Sequence, residues 1–315
     1  MDEYAYLKKA IEEFLEFIDI RPMSVRSYKS ILHRYMDYLA SNRILKPTRR
    51  DIITYREYLW DQNLKASTIA KIFTVIKAFY RWARIHARFY GLDETFLYDV
   101  TEGVKSVKIN PHYKKEALSV EQVKTLLSYL ASKTTNIIGQ RNYAMVLLML
   151  TTGLRTIEIA RAKKRDISTI GKTHILYVHG KGEDEANQFV KLPVRLTDAI
   201  ASYLAMRTDT NPHVFTAHTA VKTAHTPLSK STIRKIITHA LKQCGLYSSR
   251  VTAHSLRHTA ATINLMRGGS LEATRQLLRH KHIASTLVYA HQIERIKDDS
   301  ETCIENIYFD EGDQV

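Results

Sequence analysis

The chain has 315 residues, 44% hydrophobic and 25% charged, enough to bury a sizeable core and to form two domains. Its 47 Lys and Arg against 32 Asp and Glu give a formal net charge of +15, and an acidic run from Glu294 to Asp313 leaves the preceding residues more basic still, a surplus suited to a polyanionic partner. No run approaches the roughly 20 apolar residues of a membrane span, Met1-Asp2-Glu3 has no signal-peptide character, and Cys244 and Cys303 are too few for a disulfide framework or a cysteine-built zinc site, so a cytoplasmic protein with reduced cysteines is expected.

From Tyr4 to Ile18 the residues Leu7, Ile11, Phe14, Leu15 and Ile18 recur at helical spacing, and Pro22 ends the pattern. Ser24 is placed to cap a second helix bearing Tyr28, Ile31, Leu32, Tyr35 and Leu39. Thr48 can cap a third with Ile52, Tyr55 and Leu59, and Ser67 a fourth with Ile72, Ile76, Phe79 and Trp82. A helical domain over residues 1–108 is predicted. On its fourth helix Lys71, Lys77, Arg81, Arg84 and Arg88 can follow a duplex backbone or simply face solvent. Between Thr101 and Lys115 helical periodicity lapses, Gly103 and Pro111 break the chain, and Lys105, Lys108, Lys114 and Lys115 gather. This predicts a basic linker over 109–116, either tracking phosphates or acting as a solvated tether.

The second domain, 117–315, opens with Ser119, whose capping-box partner is Gln122, and a helix from Val123 to Leu130. Tyr143 to Leu150 is apolar nearly all round, which predicts a buried helix. Thr173 to His179 and Gln188 to Leu192 are rich in β-formers and flank the polar turn Gly180-Lys181-Gly182-Glu183-Asp184, a hairpin with a lysine at its tip. Helices follow over Leu196–Met206, Ser231–Leu241, Ala253–Met266, Leu271–Leu278 capped by Ser270, and around Tyr289. The fold class is therefore mainly α with a small antiparallel β-hairpin sheet.

Singly, the polar residues of this half carry little. Arg155 could cap a helix C-terminus, Lys181 could be a solvated turn lysine, and Tyr289 is one of 18 tyrosines. His254 and His258 stand at zinc-ligand spacing, but without the glutamate of H-E-x-x-H or a cysteine cluster, so no metal site is predicted. Order and spacing carry more: Thr152-Gly153-Leu154-Arg155, Gly180-Lys181-Gly182, His254-Ser255-Leu256-Arg257-His258, Leu277-Leu278-Arg279-His280, and Tyr289 nine residues beyond His280.

This series resembles the catalytic signature of the tyrosine recombinases, the family of phage integrases and Xer recombinases, over essentially the whole chain. The resemblance implies a helical core-binding domain and a catalytic domain forming a clamp around double-stranded DNA at specific recombination sites. It further implies a homo-tetramer on synapsed DNA, sequential strand exchange through a Holliday junction and a 3′-phosphotyrosine at Tyr289. Arg155 and Arg257 would clamp the non-bridging oxygens, a task planar guanidinium groups perform bidentately. His254 would assist removal of the tyrosine proton, His280 would hydrogen-bond the phosphate, Lys181 would protonate the departing 5′-oxygen, and Glu158 would orient its neighbours. His254 and Arg257, three apart, share a helix face near its positive N-terminus. One ester replaces another, so neither ATP nor metal is implied.

Arg279 stands where relatives commonly have glycine, a departure that bears on the local turn. The first helix begins almost at Met1, so the expected layout is the short Xer-like one without an arm-binding domain. The reaction would integrate or excise a mobile element or resolve DNA dimers. Two other functions remain open from the residues: a type IB topoisomerase that relaxes DNA as a monomer, and a DNA-binding regulator without cleavage.

Overall fold

Leu7, Ile11 and Phe14 lie on the inner face of α1 (Ala5–Phe17), as their spacing predicts. The structure is a computed structural model that describes residues 3–108, 116–179, 188–218 and 226–309. Around α1 pack α2 (Pro22–Ser41), α3 (Arg49–Asp61) and α4 (Ala66–His86), closing a core of Leu32, Tyr35, Leu39, Ile52, Tyr55, Leu59, Ile72, Ile76 and Phe79. A hydrogen bond of 3.0 Å between the Tyr35 and Tyr80 hydroxyls satisfies two buried polar atoms there. Pro22 begins α2 rather than only ending the first pattern, because its fixed φ suits the first helical position, where no N–H is needed. Ser24 therefore sits inside the first turn and is not the cap. Thr48 is the N-cap residue of α3, its backbone N–H and hydroxyl donating to Asp51 Oδ2 at 2.8 and 2.7 Å, whereas α4 starts at Ala66, one residue before Ser67.

The chain divides into two compact units, Met1–His112 and Tyr113–Val315. Residues 109–115, and with them nearly all of the expected linker, lie outside the described residues. In the second unit Ser119 and Gln122 form the expected capping box at the head of α5 (Val120–Ala131). The apolar helix α6 (Ile137–Thr152) starts earlier than its periodicity suggests, because Asn136 Oδ1 accepts from Gly139 N at 2.9 Å and caps it. A short α7 (Thr156–Arg161) precedes a three-stranded antiparallel sheet of β1 (Ile167–Ile170), β2 (Thr173–Val178) and β3 (Gln188–Leu192) in the order β1-β2-β3. Val178 pairs with Gln188 and His174 with Leu192, so the expected hairpin is present; β1 enlarges it to a sheet. The tip, residues 180–187 with Lys181, lies outside the described residues.

Helices α8 (Val194–Ala205), α9 (Lys230–Gln243), α10 (Ala253–Met266), α11 (Leu271–Leu278), α12 (Ala284–Lys297) and α13 (Ser300–Phe309) complete the unit. The sheet covers the core with Leu176, Val178, Val190 and Leu192, while Leu148, Met149, Leu196, Tyr203, Ile233, Ile237 and Leu256 fill its helical side. Both cysteines of the described chain are free thiols.

Candidate active site

Two helix C-termini meet at the centre of the site. Gly153 ends α6 with φ +63°, a left-handed turn that lets Leu154 bury and sets Arg155 as the N-cap of α7. Arg279 ends α11 in the same conformation, φ +54°. The ends approach so closely that a Cβ on Gly153 would lie 2.7 Å from Leu278 Cδ2, which leaves room for glycine alone. Between them lies Arg257, only 2% exposed, whose Nη1 donates to the Gly153 carbonyl and Nη2 to the Leu278 carbonyl. Its charge thus meets the negative ends of two helices.

The helix that delivers Arg257 is fixed at its start by Thr252, whose N–H donates to Ser255 Oγ at 3.0 Å. One turn before Arg257, His254 is exposed on α10. Arg155, His254 and Arg257 line one cavity of about 370 Å³ with Lys230 and Arg234 from α9. That is a basic, open site suited to an anion. Burial first, then the charge of Arg155, lowers the Arg257 pKa to about 9, so the guanidinium remains protonated at neutral pH.

Glu158 is not a surface glutamate: its side chain is 1% exposed, and Oε1 accepts from Arg155 Nη1 at 2.8 Å. Oε2 accepts from the Arg155 backbone N at 2.8 Å and from Arg279 Nη2 at 2.9 Å. Burial pushes its pKa up, but Arg279 and Arg155 more than offset that and hold it below the ordinary glutamate value.

Tyr289 projects from α12 and is 6% exposed, packed with Ala261 and Leu278. Its ring lies 5.1 Å from that of His258 and 6.5 Å from that of His280, and His258 stands 4.8 Å from His254. Burial raises the phenol pKa despite the opposing pull of Arg257 and Arg155, so the hydroxyl is neutral near pH 7. Burial, followed by the charges of Arg257, Arg155, Arg279 and His254, lowers His280 to about 4. His258, buried beside it, is likewise lowered to about 4. His280 Nδ1 lies 2.8 Å from the Thr286 hydroxyl; with that hydroxyl as donor, Nε2 carries the proton and is free to donate to an anion.

The structure thus brings together Arg155, Glu158, His254, Arg257, His280 and Tyr289, which come from three helices, α7, α10 and α12, and from the turns that precede α7 and follow α11. Lys181 lies outside the described residues, and the remaining predicted residues lie in the first unit. Lys77, Arg81 and Arg84 share a stripe of α4, but Lys71 sits about a third of a turn away, where its Nζ donates to Ser27 Oγ at 2.7 Å. Lys77 Nζ donates to the Val104 carbonyl, and Arg84 pairs with Glu102 at 3.6 Å; Lys105 and Lys108 are exposed. Sequence reasoning missed Lys230, Arg234 and Thr286, and it saw Arg279 only as a departure. A pair of basic residues four apart at the start of a Ser229-capped helix was the available signal for the first two.

Residues 116–295 match the phage integrase family, and residues 11–86 match that family's N-terminal SAM-like domain. The chain belongs to the phage integrase family. Within it, the tyrosine recombinase XerD of Staphylococcus aureus (strain N315) is 29% identical over 301 residues, covering 90% of this chain and 94% of the relative. XerD of Staphylococcus epidermidis is 28% identical over 293 residues, covering 89% and 93%. The fold agrees with integrase-family structures: XerH recombinase bound to its palindromic difH substrate after cleavage has TM-score 0.74 at 17% identity, covering 90% of this chain and 80% of that one. A lambda integrase tetramer on a Holliday junction gives 0.67 at 16% identity, covering 91% and 76%. Among the described residues of this family member, no helix is long and apolar enough to cross a membrane, and no group of three or more His, Cys, Asp and Glu gathers as a metal site.

Proposed function

We propose that this chain is a site-specific recombinase that cleaves and rejoins double-stranded DNA through Tyr289, acting in the cytoplasm as a homo-tetramer on two synapsed sites. The observation that carries the reading is the convergence of Arg155, His254 and Arg257 on one open basic cavity, with His280 and Tyr289 packed beside them.

A scissile phosphate in that cavity would meet guanidinium N–H groups where negative charge develops on its non-bridging oxygens. The Tyr289 hydroxyl attacks phosphorus in line and gives its proton to His254. A base is required because burial keeps the phenol protonated. The P–O5′ bond breaks, the oxygen takes a proton from Lys181, and the products are a 3′-phosphotyrosine and a free 5′-hydroxyl. Attack by a 5′-hydroxyl from the partner duplex reverses each step. Residues 1–108 would bind the same duplex, with Lys77, Arg81, Arg84, Lys105 and Lys108 against phosphates.

The test is a supercoiled plasmid bearing two copies of a repeat from the DNA flanking the gene. Recombination resolves it into two circles. Relaxed topoisomers without recombinants would favour the topoisomerase function, and binding without any change of the DNA would favour the regulator.

A further inference from the structure

Arg279 occupies a conformation that opposes its own side chain. At φ +54° an L residue carries a steric penalty that glycine escapes, yet this position holds one of the longest side chains available. Its guanidinium is folded inward to 5% exposure, and Nε is buried with no hydrogen-bond partner among the described residues. Two unfavourable features at one residue beside a catalytic cavity call for a local reason.

The contacts supply it. Arg279 Nη2 donates to Glu158 Oε2 at 2.9 Å, and Nη1 donates to the Leu277 carbonyl at 2.8 Å. The Glu158 carboxylate therefore lies between two unlike cations: Arg279, enclosed, and Arg155, 34% exposed and lining the cavity. A phosphate entering the cavity competes with Glu158 for the Arg155 guanidinium. Were Arg155 the only cation on Glu158, its turning away would strand a carboxylate that is 1% exposed, and a buried unpaired charge is strongly disfavoured. Arg279 removes that obstacle. Its neighbours in sequence also belong to the site, since Leu278 supplies the carbonyl that holds Arg257 and His280 faces Tyr289.

We propose that Arg279 is a positioning residue for strand cleavage: it keeps Glu158 fixed and charge-balanced, so that Arg155 can swing from the carboxylate to the scissile phosphate. This inference rests on the recombinase reading above and concerns a residue that touches neither substrate nor nucleophile.

The experiment measures single-turnover formation of the covalent adduct on a nicked suicide duplex carrying the flanking repeat, with DNA affinity measured in parallel. Arg279→Gly relieves the backbone and removes the charge; Arg279→Lys and Arg279→Met keep the backbone demand and differ from each other in charge. The glycine and methionine variants are expected to form adduct about tenfold or more slowly at nearly unchanged DNA affinity, as for other residues that orient a reacting group through a neighbour. The lysine variant should recover most of the rate. Parent-like cleavage by Arg279→Met, or equal slowing of the lysine and methionine variants, overturns the proposal, and this pair decides the matter even where the glycine variant does not fold. No adduct with the parent protein overturns instead the recombinase reading beneath it.

Discussion

Replacing Gly153 with alanine tests the close meeting of the two helix ends directly. Alanine at φ +63° costs about 1–2 kcal/mol for the left-handed conformation. Its Cβ would lie 2.7 Å from Cδ2 of the fully buried Leu278, which has no solvent to swing into, and forcing a methyl group into a packed core costs a further ~1–3 kcal/mol. In a unit of this size each kcal/mol lowers Tm by about 2–4 °C, so a loss on the order of 10 °C is expected. Both tryptophans, Trp60 and Trp82, lie in the first unit, so their fluorescence reports that unit while far-UV circular dichroism reports the whole chain. The dichroism transition should fall and the fluorescence transition should stay. Leu278→Ala destabilises by itself, yet in the Gly153→Ala background it relieves the clash, so the double variant should be more stable than additivity allows by about 1–3 kcal/mol. An unchanged melt, or strict additivity, would refute the steric argument. Because the Gly153 carbonyl accepts from Arg257, the alanine variant should also cleave DNA more slowly.

His258 titrates at about 4 in the folded chain and near 6.5 unfolded, so between those values the unfolded state binds more protons and stability falls as pH falls. About 3 kcal/mol present above pH 6.5 should be lost by pH 4, and His258→Asn should remove that share of the slope in urea titrations at stepped pH, leaving the share of His280, which is lowered alike. Replacing the bridging 5′-oxygen with sulfur should restore cleavage to Lys181→Ala, because a thiolate leaves without a proton, but not to Arg155→Ala, whose proposed partner is a non-bridging oxygen; single-turnover rates showing equal rescue of both, or of neither, reject that division of roles. Truncation after Lys297 removes α13 with its exposed Ile304, Ile307 and Tyr308 while keeping the buried Ile293, and should impair synapsis more than binding to a single site, as gel mobility with one and two duplexes would reveal.

The helices of the first unit were legible because each buries a stripe at a period of 3.6, from Leu7 and Ile11 to Ile76 and Phe79. What periodicity could not supply were elements without a buried stripe. Strand β1 is a mostly exposed edge with no apolar alternation, and α7 spans under two turns. The start of α2 was misplaced because proline, read as a stop, also serves as a first helical residue. At the site, residue types and order were visible in sequence, but partnerships were not. The resemblance marked Glu158 as an orienting residue, but only its burial between Arg155 and Arg279 shows which groups it holds, and Arg257 proved to hold two helix ends as well as to face the cavity. Lys230 and Arg234 reach that cavity from a helix far along the chain, a proximity that spacing cannot encode.

In the proposed reaction Tyr289 becomes joined to the 3′ phosphate at the cleavage point. The direct measurement is to trap the adduct on a nicked suicide duplex, digest it, and identify by mass spectrometry which residue carries the nucleotide and through which end. A 3′-linked nucleotide on Tyr289, with no adduct from Tyr289→Phe at undiminished DNA binding, is the result predicted. An adduct on another residue, a 5′ linkage, or trapping by the phenylalanine variant would rule out a 3′-phosphotyrosine at Tyr289.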